Sequence, residues 1–144
     1  MMVAGLSRRR SVGLYHLHMG GPDGDAAACG SLLAPRFEMR LRNMGARFVR
    51  SAVEADVMLV TGLLLARNLD ATLRELASLP QPSAIMAVGD AAINGGQWAR
   101  LEMPGLAAYP LSHYVDIAFR VPGDPPTPQE IIGMIGECAL LTIE

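Results

Sequence analysis

The sequence predicts an α/β fold, a single flavodoxin-like, doubly wound domain with a mostly parallel sheet of four to five strands. Two observations carry that expectation. Short β-branched or apolar runs alternate with longer stretches of helical period, the pattern of strands joined by crossover helices. Three of the runs also lead into loops rich in Gly, Pro and Asp, as strands of open parallel sheets do at their carboxyl ends. A chain of 144 residues holds one compact core and is too short for two ordinary domains. The expected division is a flexible basic tail over residues 1–11 and one domain over 12–144.

Residues 12–18 read as the first strand, ending in the sharp loop Gly20-Gly21-Pro22-Asp23-Gly24. A helix is expected over 26–44, with Leu33, Phe37, Leu41 and Met44 along one stripe and Gly45 as its C′ residue. A short strand around 47–50 follows. Residues 57–60 form a continuous apolar run between Asp56 and Gly62, as a buried central strand does. Leu69, Leu73 and Leu76 mark a helix that stops before Pro80. Residues 84–88 form another strand, leading into a small-residue loop, Gly89-Asp90-Ala91-Ala92. The stretch 94–114 is irregular, and 116–121 supplies a last strand. Thr127-Pro128-Gln129-Glu130 is a capping box with Pro at N1. It opens a final helix with Ile131, Met134, Ile135, Cys138 and Leu141 on one side.

Composition narrows the function classes. Apolar residues make up 51% and charged residues 18%, against about a quarter charged in ordinary domains, so the excess is buried in a sheet or covered by partners. Met outnumbers the aromatics, which predicts soft, adaptable apolar surface. A formal net charge of -2 gives no reason to invoke nucleic acid. Arg8-Arg9-Arg10 reads as a solvated tail, with acidic lipid headgroups or a partner as the sharper option; no apolar segment of adequate length follows it, as a twin-arginine signal requires. The longest apolar stretch, 57–66, is about half a membrane span, so a soluble or peripheral, cytoplasmic protein is expected. The two cysteines, Cys29 and Cys138, lack CxxC spacing and sit in apolar helical patterns, as small core or interface residues do.

Loops 20–25, 89–96 and 122–126 follow strand ends and are where an open α/β sheet places its chemistry. They also carry a resemblance. Tyr15-His16-Leu17-His18-Met19-Gly20-Gly21-Pro22-Asp23-Gly24-Asp25 resembles the start of the small subunit of energy-converting nickel–iron hydrogenases. Leu33-Ala34-Pro35-Arg36-Phe37-Glu38 is similar to that family's Leu-x-Pro-Arg-Tyr-Asp. Ala55-Asp56-Val57-Met58-Leu59-Val60-Thr61-Gly62 is similar to its Ala-Asp-apolar-Leu-x-Val-Thr-Gly strand. Val88-Gly89-Asp90 and Asn94-Gly95-Gly96 bracket a third motif, and Pro122-Gly123-Asp124-Pro125-Pro126-Thr127-Pro128 resembles Pro-Gly-Cys-Pro-Pro-Arg-Pro. The 20 kDa subunit of respiratory complex I belongs to the same family, and Tyr15-His16 favours the hydrogenase branch. One departure is Leu63-Leu64-Leu65-Ala66-Arg67-Asn68, a residue longer than the usual connection.

The resemblance implies a site that four thiolates build around one 4Fe–4S cluster, close to a large subunit. Carried over, the ligand positions fall on Pro22, Asp25, Ala91 and Asp124, or on Gly24 and Asp25 in the first loop if the tandem-cysteine form is followed. None is a cysteine. Clusters are held by Cys thiolates, with His tolerated in some centres, so the cluster is expected to be absent and no cofactor is expected in its place. The reading is a non-catalytic, non-redox structural subunit. Its partners would be a large-subunit homologue and membrane subunits of proton-translocating type, with the chain peripheral at the inner face of the cytoplasmic membrane.

Alternatives stand beside it. The complex would remain an oxidoreductase if electrons bypass this chain, or Asp25 and Asp124 would hold a divalent cation through oxygens. The plainer reading makes Asp25 the N-cap of the first helix, pointing away from Asp124 in its turn, with Pro22 and Ala91 closing the space. His16 and His18 share a strand face and, with Arg36, are candidates for an interface or proton relay. A free flavin carrier is disfavoured, because Pro and two carboxylates replace the phosphate-cradling loop it needs. Walker, dinucleotide-binding and serine-elbow motifs are absent from the sequence.

Overall fold

A computed structural model describes residues 11–80 and 83–143, with side chains to residue 140. Most of the basic tail, with Arg8-Arg9-Arg10, lies outside the described residues. The elements follow the order β1 (Val12–His18), α1 (Gly24–Gly30), α2 (Pro35–Asn43), β2 (Ala46–Phe48), β3 (Val57–Thr61), α3 (Leu69–Ala77), β4 (Ala84–Val88), α4 (Asp90–Asn94), α5 (Gly96–Arg100), β5 (Phe119–Val121) and α6 (Pro128–Ile143). The five strands form one sheet in the order β2-β1-β3-β4-β5, and every pairing is parallel. This is the doubly wound α/β architecture expected from the alternation of runs.

The central strands β1, β3 and β4 divide their side chains between two cores, because successive residues point to opposite faces. On one face Val12 and Leu14 of β1, Val57 and Leu59 of β3, and Met86 and Val88 of β4 pack against Cys29, Leu32, Phe37, Leu41 and the α6 residues Ile131, Ile135 and Cys138. On the other, Met58, Val60 and Ala87 meet Leu76, Ala92, Leu111 and Ile117. β3 is buried along its whole length, as a central strand covered on both faces must be. Burying a Leu or Ile of this kind contributes about 1.5–3 kcal/mol each. Both cysteines lie in the first core.

Several boundaries differ from the sequence expectation, each for a local reason. The helix expected over 26–44 is two helices joined by a 3-10 turn at Ser31–Leu33. Pro35 keeps its predecessor out of the helical region; Ala34 is extended (ψ 143°) and Pro35 starts α2 at N1. Leu33 therefore leaves the stripe and is 61% exposed. Gly45 takes the predicted left-handed C′ conformation at φ +83°. The strand expected at 47–50 is Ala46–Phe48, and the last strand shrinks to Phe119–Val121. The methionines supply core as much as surface: Met19, Met58 and Met86 are buried, whereas Met39 is exposed.

The capping box stands as predicted. Glu130 Oε1 accepts the Thr127 amide at 2.8 Å, and the Glu130 amide donates to Thr127 Oγ1 at 3.1 Å. Among the described residues no helix is long and apolar enough to cross a membrane.

Candidate functional site

Parallel strands deliver their carboxyl ends to one edge of the sheet, and here that edge gathers the loops after β1, β3, β4 and β5. Backbone bonds tie them together. The Met19 amide donates to the Thr61 carbonyl at 2.8 Å, and the Leu63 amide to the Gly20 carbonyl at 3.0 Å. Asn68 links the first two loops with its side chain. Its Nδ2 donates to the Met19 carbonyl (2.6 Å) and the Leu63 carbonyl (3.3 Å), and its Oδ1 accepts the Leu65 amide (2.9 Å). The 63–68 connection is thereby pulled inward, with Leu63, Leu64 and Leu65 all buried.

Residues 89–92, expected as a loop, open α4 directly, with Gly89 before its first residue at φ +93°. Asp90 is half-buried there and holds the fourth loop: its amide donates to the Gly123 carbonyl at 2.8 Å, and its Oδ1 accepts the Gly123 amide at 2.9 Å.

The four positions of the implied ligand set are now placed. Asp25 is not an N-cap. The residue preceding α1 is Asp23, which makes no side-chain cap bond. Asp25 sits in the first turn, 6% exposed, and its Oδ1 is buried without a hydrogen-bond partner. Its carboxylate lies over Gly89, where any Cβ would collide with it. Asp124 is exposed, in a turn whose Asp124–Pro125 peptide is cis. The two carboxylates are not out of each other's reach, as the capping arrangement required. Burial, then the charges of Asp124 and Asp90, push the Asp25 carboxyl up to about 6. Pro22 is half-buried. Ala91 lines a cavity of about 140 Å³ with Leu63, Leu64, Leu106, Tyr109 and Leu111, and Asp25 is not among its walls.

This donor set does not fit a four-thiolate cluster. Pro22 and Ala91 carry no ligating atom, and the two carboxylates are hard oxygen donors where a cluster needs soft sulfur. Cys29, one helical turn beyond Asp25, is buried, and burial and the Asp25 charge push its thiol up to about 12. It stays protonated at neutral pH, and the thiolate is the ligating form. Among the described residues no group of three His, Cys, Asp or Glu side chains is gathered to hold a metal ion.

The two β1 histidines, placed on one face by their spacing, converge on a residue that sequence reasoning passed over. His16 Nε2 lies 2.8 Å and His18 Nδ1 2.9 Å from the Thr61 hydroxyl. The β1–β3 register sets Thr61 opposite His18, and Thr61 is fully buried. Gly62 leaves room for the ring, since a Cβ there would stand 2.7 Å from His18 Cε1. Burial, then the neighbouring His18, hold His16 below the ordinary imidazole range. Arg36 is not drawn into this group; it is exposed on α2, its guanidinium 4.6 Å from the Phe37 ring centroid.

Comparison with known proteins gives this edge a context. The sequence profile described as NADH ubiquinone oxidoreductase, 20 Kd subunit, matches residues 24–138. The probable membrane-bound hydrogenase subunit mbhJ of Pyrococcus furiosus is 28% identical over 123 residues, covering 85% of this chain and 71% of that protein. An F(420)H(2) dehydrogenase subunit of Methanosarcina mazei is 31% identical over 111 residues, covering 74% of this chain and 53% of that protein. Among solved structures, a chain of the membrane-bound sulfane sulfur reductase, an archaeal respiratory membrane complex, superposes with a TM-score of 0.74 at 18% identity, covering 96% of this chain and 73% of that one. At that identity the likeness speaks for the fold.

Proposed function

Because the chain belongs to the NADH ubiquinone oxidoreductase 20 Kd subunit family, a family of oxidoreductase complexes, we propose that it is a cluster-free, non-redox subunit that docks a large-subunit homologue to a membrane module. The observation carrying this is the replacement of all four ligand positions by Pro22, Asp25, Ala91 and Asp124, with Asp25 wedged over Gly89. The fold is shared with a chain of a membrane complex at a TM-score of 0.74 although these positions offer no thiolate, as expected of a scaffold kept for assembly. A relative named as a membrane-bound hydrogenase subunit supports a position on a membrane complex; within the proposal the chain is peripheral, at the inner face of the cytoplasmic membrane, beside proton-translocating-type subunits. On this reading the chain itself catalyses nothing, and any redox chemistry belongs to other subunits.

The test is anaerobic purification of the tagged full chain from its native source. A large-subunit homologue should come with it, and iron and acid-labile sulfide should be absent in stoichiometric amount from this subunit once it is separated. About four irons per chain, the content of one cubane, would overturn the reading. If the co-purified large subunit carries a stoichiometric redox metal of its own, the complex is a redox machine whose electrons bypass this chain.

A further inference from the structure

We propose that His18, Thr61 and His16 form a proton relay, in which the Thr61 hydroxyl carries a proton between the two imidazoles. The inference goes beyond the docking role and needs neither a cluster nor a partner for its test. A hydroxyl has one proton and two lone pairs. With Nε2 of His16 at 2.8 Å and Nδ1 of His18 at 2.9 Å, the hydroxyl can donate to one ring while accepting N–H from the other. At these lengths both contacts are full hydrogen bonds.

The step balances without any further reactant. When His18 is an imidazolium, its Nδ1–H bond breaks as a new O–H bond forms on Thr61 Oγ1. The original hydroxyl O–H bond breaks as an N–H bond forms on Nε2 of neutral His16. One proton and one positive charge move from His18 to His16, and the threonine is again a hydroxyl. The return runs by the same bonds. His16 must hold its own proton on Nδ1 while it accepts.

The surroundings favour such a role over a static bond. Thr61 is held from both sides, its carbonyl by the Met19 amide and its strand by pairing with β1 and β4, so the hydroxyl is presented at fixed distance. β3 sets Leu59 and Thr61, both uncharged, opposite the two rings, and His18 is the titratable neighbour that acts on His16. Burial and that neighbour make His16 the less willing holder of charge. A proton passed to His16 is therefore poised to return or to be passed on.

The experiment uses the full chain labelled with ¹⁵N-histidine. The chain has three histidines, so exposed His113 serves as an internal control. The quantity read is the protonation exchange rate of His16, from relaxation dispersion of its ring resonances near its titration midpoint. Thr61→Val, which keeps the shape but removes the hydroxyl, should slow His16 exchange about tenfold or more, with His113 unchanged. Thr61→Ser should retain the wild-type rate, and His18→Gln should slow His16 as Thr61→Val does. An unchanged His16 rate in Thr61→Val, or equal slowing in Thr61→Ser and Thr61→Val, overturns the relay. Should Thr61→Val fail to fold, His18→Gln decides alone: an unslowed His16 rejects the relay.

Discussion

Asp90 and Gly123 hold each other twice over, the Asp90 amide donating to the Gly123 carbonyl and the Gly123 amide donating to the Asp90 carboxylate. One residue at the head of α4 thereby fixes the loop after β5. The same carboxylate also lies close enough to act on Asp25. A device that closes two loops together thus raises the energy of a charge between them, and the consequences can be measured.

Asp25 carries a pH-dependent cost. Its carboxyl stands at about 6 against an ordinary 3.8, so between those values the folded chain keeps a proton that the unfolded chain has released. The group's contribution to stability is full below the lower value and is lost as pH rises through about 6. A carboxylate in a first helical turn gains about 0.3–1 kcal/mol from the helix dipole, less than about 1–3 kcal/mol for an unpaired buried oxygen. Asp25→Asn should therefore stabilise the chain at pH 7.5 by on the order of 1–2 kcal/mol. The gain should fade toward pH 4, as thermal melts across that range would record. Destabilisation at pH 7.5 would point instead to a cation held by the carboxylate.

Gly89→Ala should cost about 2–4 kcal/mol. Two causes add there: a φ of +93° and a Cβ driven into the Asp25 carboxylate. Urea denaturation separates them. Combining Gly89→Ala with Asp25→Ala should recover the part due to collision and leave the backbone strain.

Asn68→Ala removes three hydrogen bonds across two loops and should cost about 2–3 kcal/mol. The Leu65 amide should lose protection from hydrogen exchange, while amides in β3 keep theirs. Asn68→Asp should not rescue, because it sets a carboxylate against the Met19 and Leu63 carbonyls.

Much of this fold was legible in the chain. β1 and β4 begin and end where the sequence placed them, because apolar runs closed by Gly-rich loops leave little choice. Pro35 was equally legible as a break, but the apolar stripe through Leu33 masked it; periodicity continued where backbone sterics did not. The site was harder. That His16 and His18 share a face follows from a period of two, whereas their meeting at Thr61 depends on the β1–β3 register, which no local pattern specifies. Likewise Asp25 before a run of alanines looks like a cap, and only the approach of Gly89 from another strand makes it a buried acid. Asn68 stood within the resemblance without a role, since its partners at Met19 and Leu63 come together only on folding.

The outer strands β2 and β5 are three residues each, which has a bearing on how the chain meets other proteins. A sheet recruits a neighbouring strand through a row of open amides and carbonyls along its margin, and margins this short offer few. Among the described residues β2 pairs with β1 only over residues 12–14, so the outer strands themselves add little to such a row, and contacts through side chains on helices and loops are favoured over extension along them. A contact built that way is specific to sequence as well as to shape.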